Sequence, residues 1–298
     1  MPIARLMGLI SATLMLLGAG GIVPILAQSK VVLVDDRGQE IEVPLPVERI
    51  VVAGTPLYTE ILVDLGAKDL LVGVTDSPNN PPEVADVPRV GSPFRPNVEV
   101  ILSLEPDVVL GAVGDARDRL EAAGLIVVTP VLFIAQIPDI FRLIEVVGLL
   151  ADREVEAEIA IGRISERIVA LESAVVQRDR VRAAFLFAPP DVAPFAVGRG
   201  SVEGELLARA GAENVFADIE GIQQVSFEAV VERDPDVIFT DPSQIENLTQ
   251  NPLLQGVSAV REGRVFGVKA SQLTSTRVAE ALQVMAEALH PDAFRANE

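Results

Sequence analysis

The chain has 298 residues, is 49% hydrophobic and carries a formal charge of −19, with no cysteine and a single histidine, His290. That charge argues against nucleic acid as a partner, because phosphate binding needs clustered lysine and arginine. Without cysteine there are no disulfides, no thiolate chemistry and no lipidated N-terminal Cys, and one histidine leaves little for a His-based metal site or triad.

The opening "MPIARLMGLISATLMLLGAGGIVPILAQS" has one positive charge, Arg5, and then an apolar run to Ala27 broken by glycines. It reads as a secretory signal peptide over 1–27, cleaved after Ala27, with an uncleaved membrane anchor as the alternative. Both readings export the rest of the chain, placing it in the periplasm or otherwise outside the cytoplasm. "VVLVDDRGQEIEV" alternates around an Asp-Arg-Gly turn and predicts an edge hairpin. "RIVVAG" predicts a buried parallel strand. It is followed by a helix that places Leu57, Ile61, Leu62 and Leu65 on one face and ends at Gly66. "LLVGVT" is a further strand, and "SPNNPPEVADVP" a long loop of turn residues.

Next comes "NVEVILSLEPDVVLGA", Asn97 to Ala112. Its helix should bury Val98, Ile101 and Leu102, leave Glu99 outside that stripe and halt at Pro106 before the strand "VVLG". "AAGLIVVTP" closes another helix and adds another strand. From Asp152 to Val175, Val155, Ile159, Ile164, Ile168 and Leu171 recur with charges between them, predicting one stiff helix on the order of 35 Å long. In the second half "RAAFLFA" is a strand, "EGELLARAGA" a helix ending at Gly211, "GRVFGV" a strand and "TRVAEALQVMAEALH" an amphipathic final helix.

The second half also repeats the first unit: "SFEAVVERDPDVIFTD", Ser226 to Asp241, matches Glu228 to Glu99, Pro235 to Pro106 and Asp236 to Asp107. Alternating strands and helices with an internal repeat predict an α/β chain of two Rossmann-like lobes with central parallel sheets, joined by a single long backbone helix, with a ligand cleft between the lobes. The expected boundaries are 28–138 for the first lobe, 139–177 for connecting helices and 178–298 for the second.

Enzyme chemistry finds little support. No G-x-G-x-x-G follows a strand and no lysine-bearing phosphate loop exists. "GRGSVEG" resembles one superficially but lacks the lysine, and reads as a flexible loop entering a helix. His290, just before Pro291, is expected to complement the end of the last helix. No pair of carboxylates stands out as an acid/base couple. Glu99 and Glu228 each lie two residues after an N-cap candidate, Asn97 or Ser226, where a carboxylate offsets the positive helix end. The alternative is that they are paired anchors for a basic partner.

The stretches "VERIVVAGTPLYTEILVDLGAKDLLVGVT", "NNPPEVADVPRVG", "NVEVILSLEPDVVLG", "GAENVF", "VSFEAVVERDPDVIFTD", "VREGRVFGV" and "EALHPDAF" carry a family likeness. In this order they resemble a class III periplasmic substrate-binding protein, the type that delivers ferric siderophores, haem or cobalamin to ABC importers. The resemblance implies a non-enzymatic, monomeric receptor with no cofactor, which docks on a membrane permease dimer through one glutamate per lobe, here Glu99 and Glu228. Loops at the carboxyl ends of the strands would then supply ligand-binding residues: Leu57, Tyr58, Ser77, Phe94, Arg95, Ala112, Phe195, Arg199, Ile222, Gln223 and Gln272. Phe94 and Phe195 would pack on an apolar chelate face, and Arg95 and Arg199 would pair with its anionic oxygens. With no tryptophan and only Tyr58, the aromatic clamp common in cobalamin binders is missing. Ser92 and Pro93 stand where several haem binders place a ligating tyrosine. A ferric siderophore or similar chelate remains by elimination, with cobalamin kept as a weaker option. An exported α/β enzyme acting on a small polar substrate, or a sensory module of the same fold, is the alternative.

Overall fold

The computed structural model describes residues 29–190 and 192–295. The expected leader, 1–27, and its cleavage point after Ala27 lie outside the described residues. Among those described, no helix is long and apolar enough to cross a membrane. The chain divides into two compact units. One is formed by the chain up to Thr59, Ala67–Leu132 and Val146–Arg153, and the other by Glu60–Gly66, Phe133–Glu145 and everything from Glu154.

The first unit opens with the expected hairpin, β1 (Lys30–Val34) against β2 (Glu40–Pro44), antiparallel with Val34 opposite Glu40. Gly38, at φ +75°, makes the turn. The Asp35 carboxylate gathers it by accepting from the Arg37 and Gln39 amides at 2.9 and 2.8 Å and from Arg37 Nε at 2.8 Å. Burial alone would push the Asp35 carboxyl up, but these donors outweigh it and hold it below the usual carboxylate range. β3 (Ile50–Val52) leads to α1 (Pro56–Asp64), whose second half is assigned to the other unit, and then to β4 (Leu71–Gly73). β5 (Gly91–Ser92) and β6 (Arg95–Pro96) form a tight hairpin that runs into α2 (Val98–Ser103). β7 (Val108–Leu110), α3 (Gly114–Ala122) and β8 (Val127–Val128) complete a parallel sheet of order β4-β3-β7-β8. Val51, Ala53, Val90, Ile101, Val109, Leu120 and Val127 form a buried cluster on it.

α4 (Ile137–Leu150) and α5 (Glu154–Val175) follow. α5 runs unbroken for 22 residues, starting just after Asp152, which sits at φ +54°. Ile164, Ile168 and Leu171 are buried as expected, but Val155 is 66% and Ile159 48% exposed. The five-residue step from Ile159 to Ile164 turns roughly 140° past a full helical turn, so the two groups lie on different faces.

The second unit continues with β9 (Val181–Phe187), β10 (Phe195–Val197), α6 (Val202–Arg209), β11 (Ala212–Asn214), β12 (Ile222–Gln224), α7 (Phe227–Arg233) and β13 (Val237–Thr240). α8 (Ile245–Thr249), α9 (Ser258–Arg261), β14 (Val265–Gly267), α10 (Ala270–Leu273), α11 (Val278–Leu289) and α12 (Pro291–Phe294) close the chain. Its sheet has the order β12-β10-β9-β13-β14, with β11 also paired to β9. β11, β9, β13 and β14 are parallel, while β10 and β12 run antiparallel at one edge. Among the described residues the fold class is thus α/β with two main sheets, the second of them mixed, and two separate two-stranded hairpins.

The sequence repeat is a structural one. β7 lies parallel beside β3 as β13 lies beside β9. Asn97 accepts from the Val100 amide and Ser226 from the Ala229 amide, capping α2 and α7. Each helix then ends at a left-handed residue, Glu105 at φ +44° and Asp234 at φ +37°. The Asp107 amide donates to Arg49 O and the Asp236 amide to Arg182 O, both at 2.9 Å. The Arg49 guanidinium returns to Leu104 O at 2.6 Å, and that of Arg182 to Arg233 O.

Three expectations are corrected here. Leu102 is 36% exposed instead of buried, as is its counterpart Val231 at 41%. "GRGSVEG" is not flexible: a Cβ on Gly198 would lie 2.1 Å from Ile219 O, and Ser201 caps α6 by accepting from the Gly204 amide. α11 is not the last helix, and His290 between α11 and α12 is buried with Nε2 unpartnered, its ring against Gly211 at φ +86°. The imidazole covers that glycine instead of bonding to the helix end.

Two stability predictions follow from these contacts. Glu105 is strained and its side chain is exposed, whereas Asp234 is strained but accepts from the Ser258 amide and hydroxyl at 2.7 and 3.0 Å. Glu105→Gly should stabilise the protein by up to about 1 kcal/mol in urea unfolding, and Asp234→Gly should not. Glu203 is buried at the start of α6, and burial pushes its carboxyl above the ordinary value. A raised carboxyl penalises the folded state once pH rises past the unfolded value and is relieved on acidification. Glu203→Gln should therefore raise Tm at pH 7, with the gain vanishing below about pH 4.

Candidate functional site

In the first unit the carboxyl ends of β3 and β7 come so close that a Cβ on Gly54 would lie 2.7 Å from the Gly111 Cα. Tyr58 lies over that junction, because a Cβ on Gly111 would meet its ring at 2.7 Å. Thr75 Oγ1 donates to Gly54 O at 3.0 Å, and Thr129 Oγ1 and Arg117 Nε donate to Ala112 O at 2.9 and 2.8 Å. These bonds fix the strand ends as a rigid floor.

Of the residues expected there, Leu57, Tyr58 and Ala112 are buried in that floor. Burial, with the charge of Asp36, pushes the Tyr58 phenol well above its ordinary value, against the opposing pull of Arg117. Its hydroxyl stays protonated and has no hydrogen-bond partner. The ion pair beneath it, Arg117 Nη2 to Asp36 Oδ1, is close at 2.8 Å but lacks hydrogen-bond alignment. Ser77 is half-buried and its hydroxyl accepts from the Asn79 amide at 3.2 Å. Phe94 and Arg95 are exposed at the β5–β6 hairpin, which Ser92 closes by accepting from the Arg95 amide at 3.2 Å. Phe94 is 94% exposed, so the chain commits a large apolar ring to solvent.

In the second unit Phe195, Arg199, Ile222 and Gln223 come together on β10, β12 and the segment after β10. Val197 faces Ile222 and Phe195 faces Gln224 across the pair, so Phe195 and Ile222 share a face. Gln223, opposite the buried Ala196, is on the other face and donates to Glu220 O at 2.9 Å. Arg199 is exposed, 3.8 Å from Glu220 Oε2. Gln272 lies in α10, away from that strand pair in the sequence, where its amide donates to Glu280 at 3.1 Å.

Sequence reasoning passed over Thr55, Val113 and Leu132, which follow β3, β7 and β8 and are exposed, Leu132 at 48%. Phe133, which opens a segment of the second unit, is 77% exposed. The available signal was position alone, three or four residues past the end of each strand. A hollow of about 490 Å³ in the second unit, lined by Pro189, Pro190, Val192, Phe227, Asn247 and Gln250 among others, holds none of the expected ligand residues. Among the described residues no cluster of His, Asp or Glu could hold a metal ion.

Glu99 and Glu228 are both exposed on the first turns of α2 and α7. Its own backbone amide, and then Arg119, hold the Glu99 carboxyl below the ordinary value. Arg119 Nη2 lies 2.8 Å from Glu99 Oε1. Helix-end stabilisation is therefore present at Glu99.

Comparison with known proteins accords with this architecture. The chain is 29% identical over 276 residues to an uncharacterized ABC transporter substrate-binding lipoprotein, YvrC, of Bacillus subtilis, covering 89% of this chain and 87% of that protein. It is 27% identical to the vitamin B12-binding protein of Vibrio cholerae, covering 77% of this chain and 84% of that one. Among solved structures, an ABC-type Fe3+-hydroxamate transport system protein from Saccharomonospora viridis superposes with a TM-score of 0.73 at 25% identity, over 87% of this chain and 98% of that one. The model of the family described as periplasmic binding protein matches residues 51–271. With two α/β units, a repeated helix–turn–strand and that match over most of its length, this chain belongs to the periplasmic binding protein family, whose members serve ABC importers by binding solutes.

Proposed function

We propose that this protein is an exported, monomeric receptor that takes up a metal chelate of the ferric siderophore kind on the loops at the carboxyl ends of its two sheets. It then docks on the permease of an ABC importer through Glu99 and Glu228, with the leader 1–27 removed, and catalyses no reaction itself. The ligand reading is supported by the relatives named for vitamin B12 and for Fe3+-hydroxamate transport, which share a metal held by its own chelator. It is supported too by the side chains on offer. Tyr58 and His290, the only tyrosine and histidine, are both buried, and there is no cysteine to ligate iron. The cargo must then bring its own donor set, and the protein grips its outer surface. Phe94, Phe195 and Ile222 supply apolar area, and Arg95 and Arg199 supply charge for anionic oxygens.

The docking reading is carried by one observation: both units build the same capped helix, with an exposed glutamate followed three residues later by an exposed apolar side chain, Leu102 or Val231. Helix capping explains the glutamates alone. It does not explain leaving an apolar neighbour in water on both, which a protein partner does.

In a thermal-shift series with a ferric hydroxamate siderophore, haem, cobalamin and molybdate, the siderophore should raise Tm most. Arg199→Ala should weaken that binding by about fivefold to tenfold in titration, since one charge-assisted contact is lost. A shift with cobalamin alone would replace the siderophore by cobalamin as the chelate bound, and a shift with none of the four, or with molybdate alone, would overturn the chelate reading. Reversing both charges, Glu99→Lys with Glu228→Lys, should abolish uptake in cells and leave ligand affinity unchanged. Normal uptake by that double variant would defeat the docking reading.

A further inference from the structure

Resting on the docking reading, we infer that the two docking points are unequal: Glu228 makes the primary contact with an arginine side chain of the permease, and Glu99 is held in reserve by Arg119. The two copies of the helix match in backbone, cap and glutamate but differ in what surrounds the carboxylate. Glu99 is already engaged, 2.8 Å from the Arg119 guanidinium. An incoming arginine must displace that cation and meets its repulsion first.

Among the described residues no lysine or arginine forms an ion pair with Glu228. Four residues on, on the same helical face, stands Glu232, where the first copy has Ser103. Arg233, whose protonated form is favoured first by Asp218 and only lastly by Glu232, is already bound through both terminal nitrogens to the two oxygens of Asp218, at 2.6 and 2.8 Å. Two like charges at this spacing repel each other. Between them Val231 and Leu253, 41% and 57% exposed, line a hollow of about 350 Å³ with both glutamates. An apolar wall topped by two carboxylates is complementary to a side chain with an aliphatic stem and a cationic head. Arginine matches it better than lysine, because its planar head can address both carboxylates at once. In the first copy the position of that second acid is taken by Ser103.

Association with the importer's permease–ATPase complex in nanodiscs, followed by stopped flow across a salt series, reads this directly. Glu228→Gln or Glu232→Gln should slow association by about threefold to tenfold, and Glu99→Gln by less than about twofold. Arg119→Ala should speed it by about twofold to fivefold, the size of an exposed ion pair. That gain should be absent in the Glu99→Gln background, because the double-mutant cycle isolates the masking of Glu99 from any general effect of charge. Equal losses from Glu99→Gln and Glu228→Gln, or no gain from Arg119→Ala, would overturn the inequality while leaving two-point docking intact. No effect from any glutamate substitution would remove the docking reading itself, and this inference with it.

Discussion

Each sheet in this protein depends on one small clasp. A helix ends on a residue forced into the left-handed region, a proline forbids its continuation, and the next strand must start within three residues. The carbonyls left open at that helix end are met by a guanidinium, Arg49 on Leu104 O and Arg182 on Arg233 O. The same arginines' own carbonyls receive the Asp107 and Asp236 amides. Orphan helix carbonyls are costly when left unpaired, so this exchange sets β7 against β3 and β13 against β9 in the same register. Once those central strand pairs are fixed, the carboxyl ends of the sheets and the exposed first turns of α2 and α7 have fixed places within their own units. The strain at Glu105 and Asp234 is tolerated because the surrounding bonds over-determine the turn.

Much of this was legible in the residues. The repeat from Asn97 and from Ser226 foretold the two helix–strand units, their caps and the exposed glutamates, since capping and proline act locally and leave plain marks. The 22-residue helix α5 was legible for the same reason. What failed was long-range. Val155 and Ile159 looked like part of one stripe, yet a five-residue step breaks the helical phase. Leu102 looked like core because six residues of helix cannot define a face, and its exposure is set by tertiary packing. The antiparallel pair β10–β12 had no signal, because Ile222–Gln224 is a short exposed edge strand with a polar composition. It nevertheless carries three of the expected ligand residues, with Arg199 just past the end of β10.

Tyr58 shows how loop position and function separate. It follows a strand end, where open α/β sheets place their ligands, but its ring packs on the close approach of Gly54 to Gly111. The aromatic therefore goes into the floor and its hydroxyl is left without a partner. The ring committed to solvent is Phe94 instead, on a two-strand hairpin too short to bury anything. Packing decided which of two aromatics would be available.

Charge is distributed by the same logic. With an excess of acid over base, several arginines are consumed inside their own unit: Arg37 and Arg117 on Asp35 and Asp36, Arg209 on Glu172 and Glu205, Arg233 on Asp218. Such pairs settle the folded units and leave the remaining carboxylates facing outward. A carboxylate on the first turn of a capped helix is stabilised as an anion by the helix itself. Helix-end stabilisation and recognition of a cation are thus compatible uses of one group, and the local cation count decides how far each glutamate is available to a partner. Glu99 shares its charge with Arg119, and Glu228 does not.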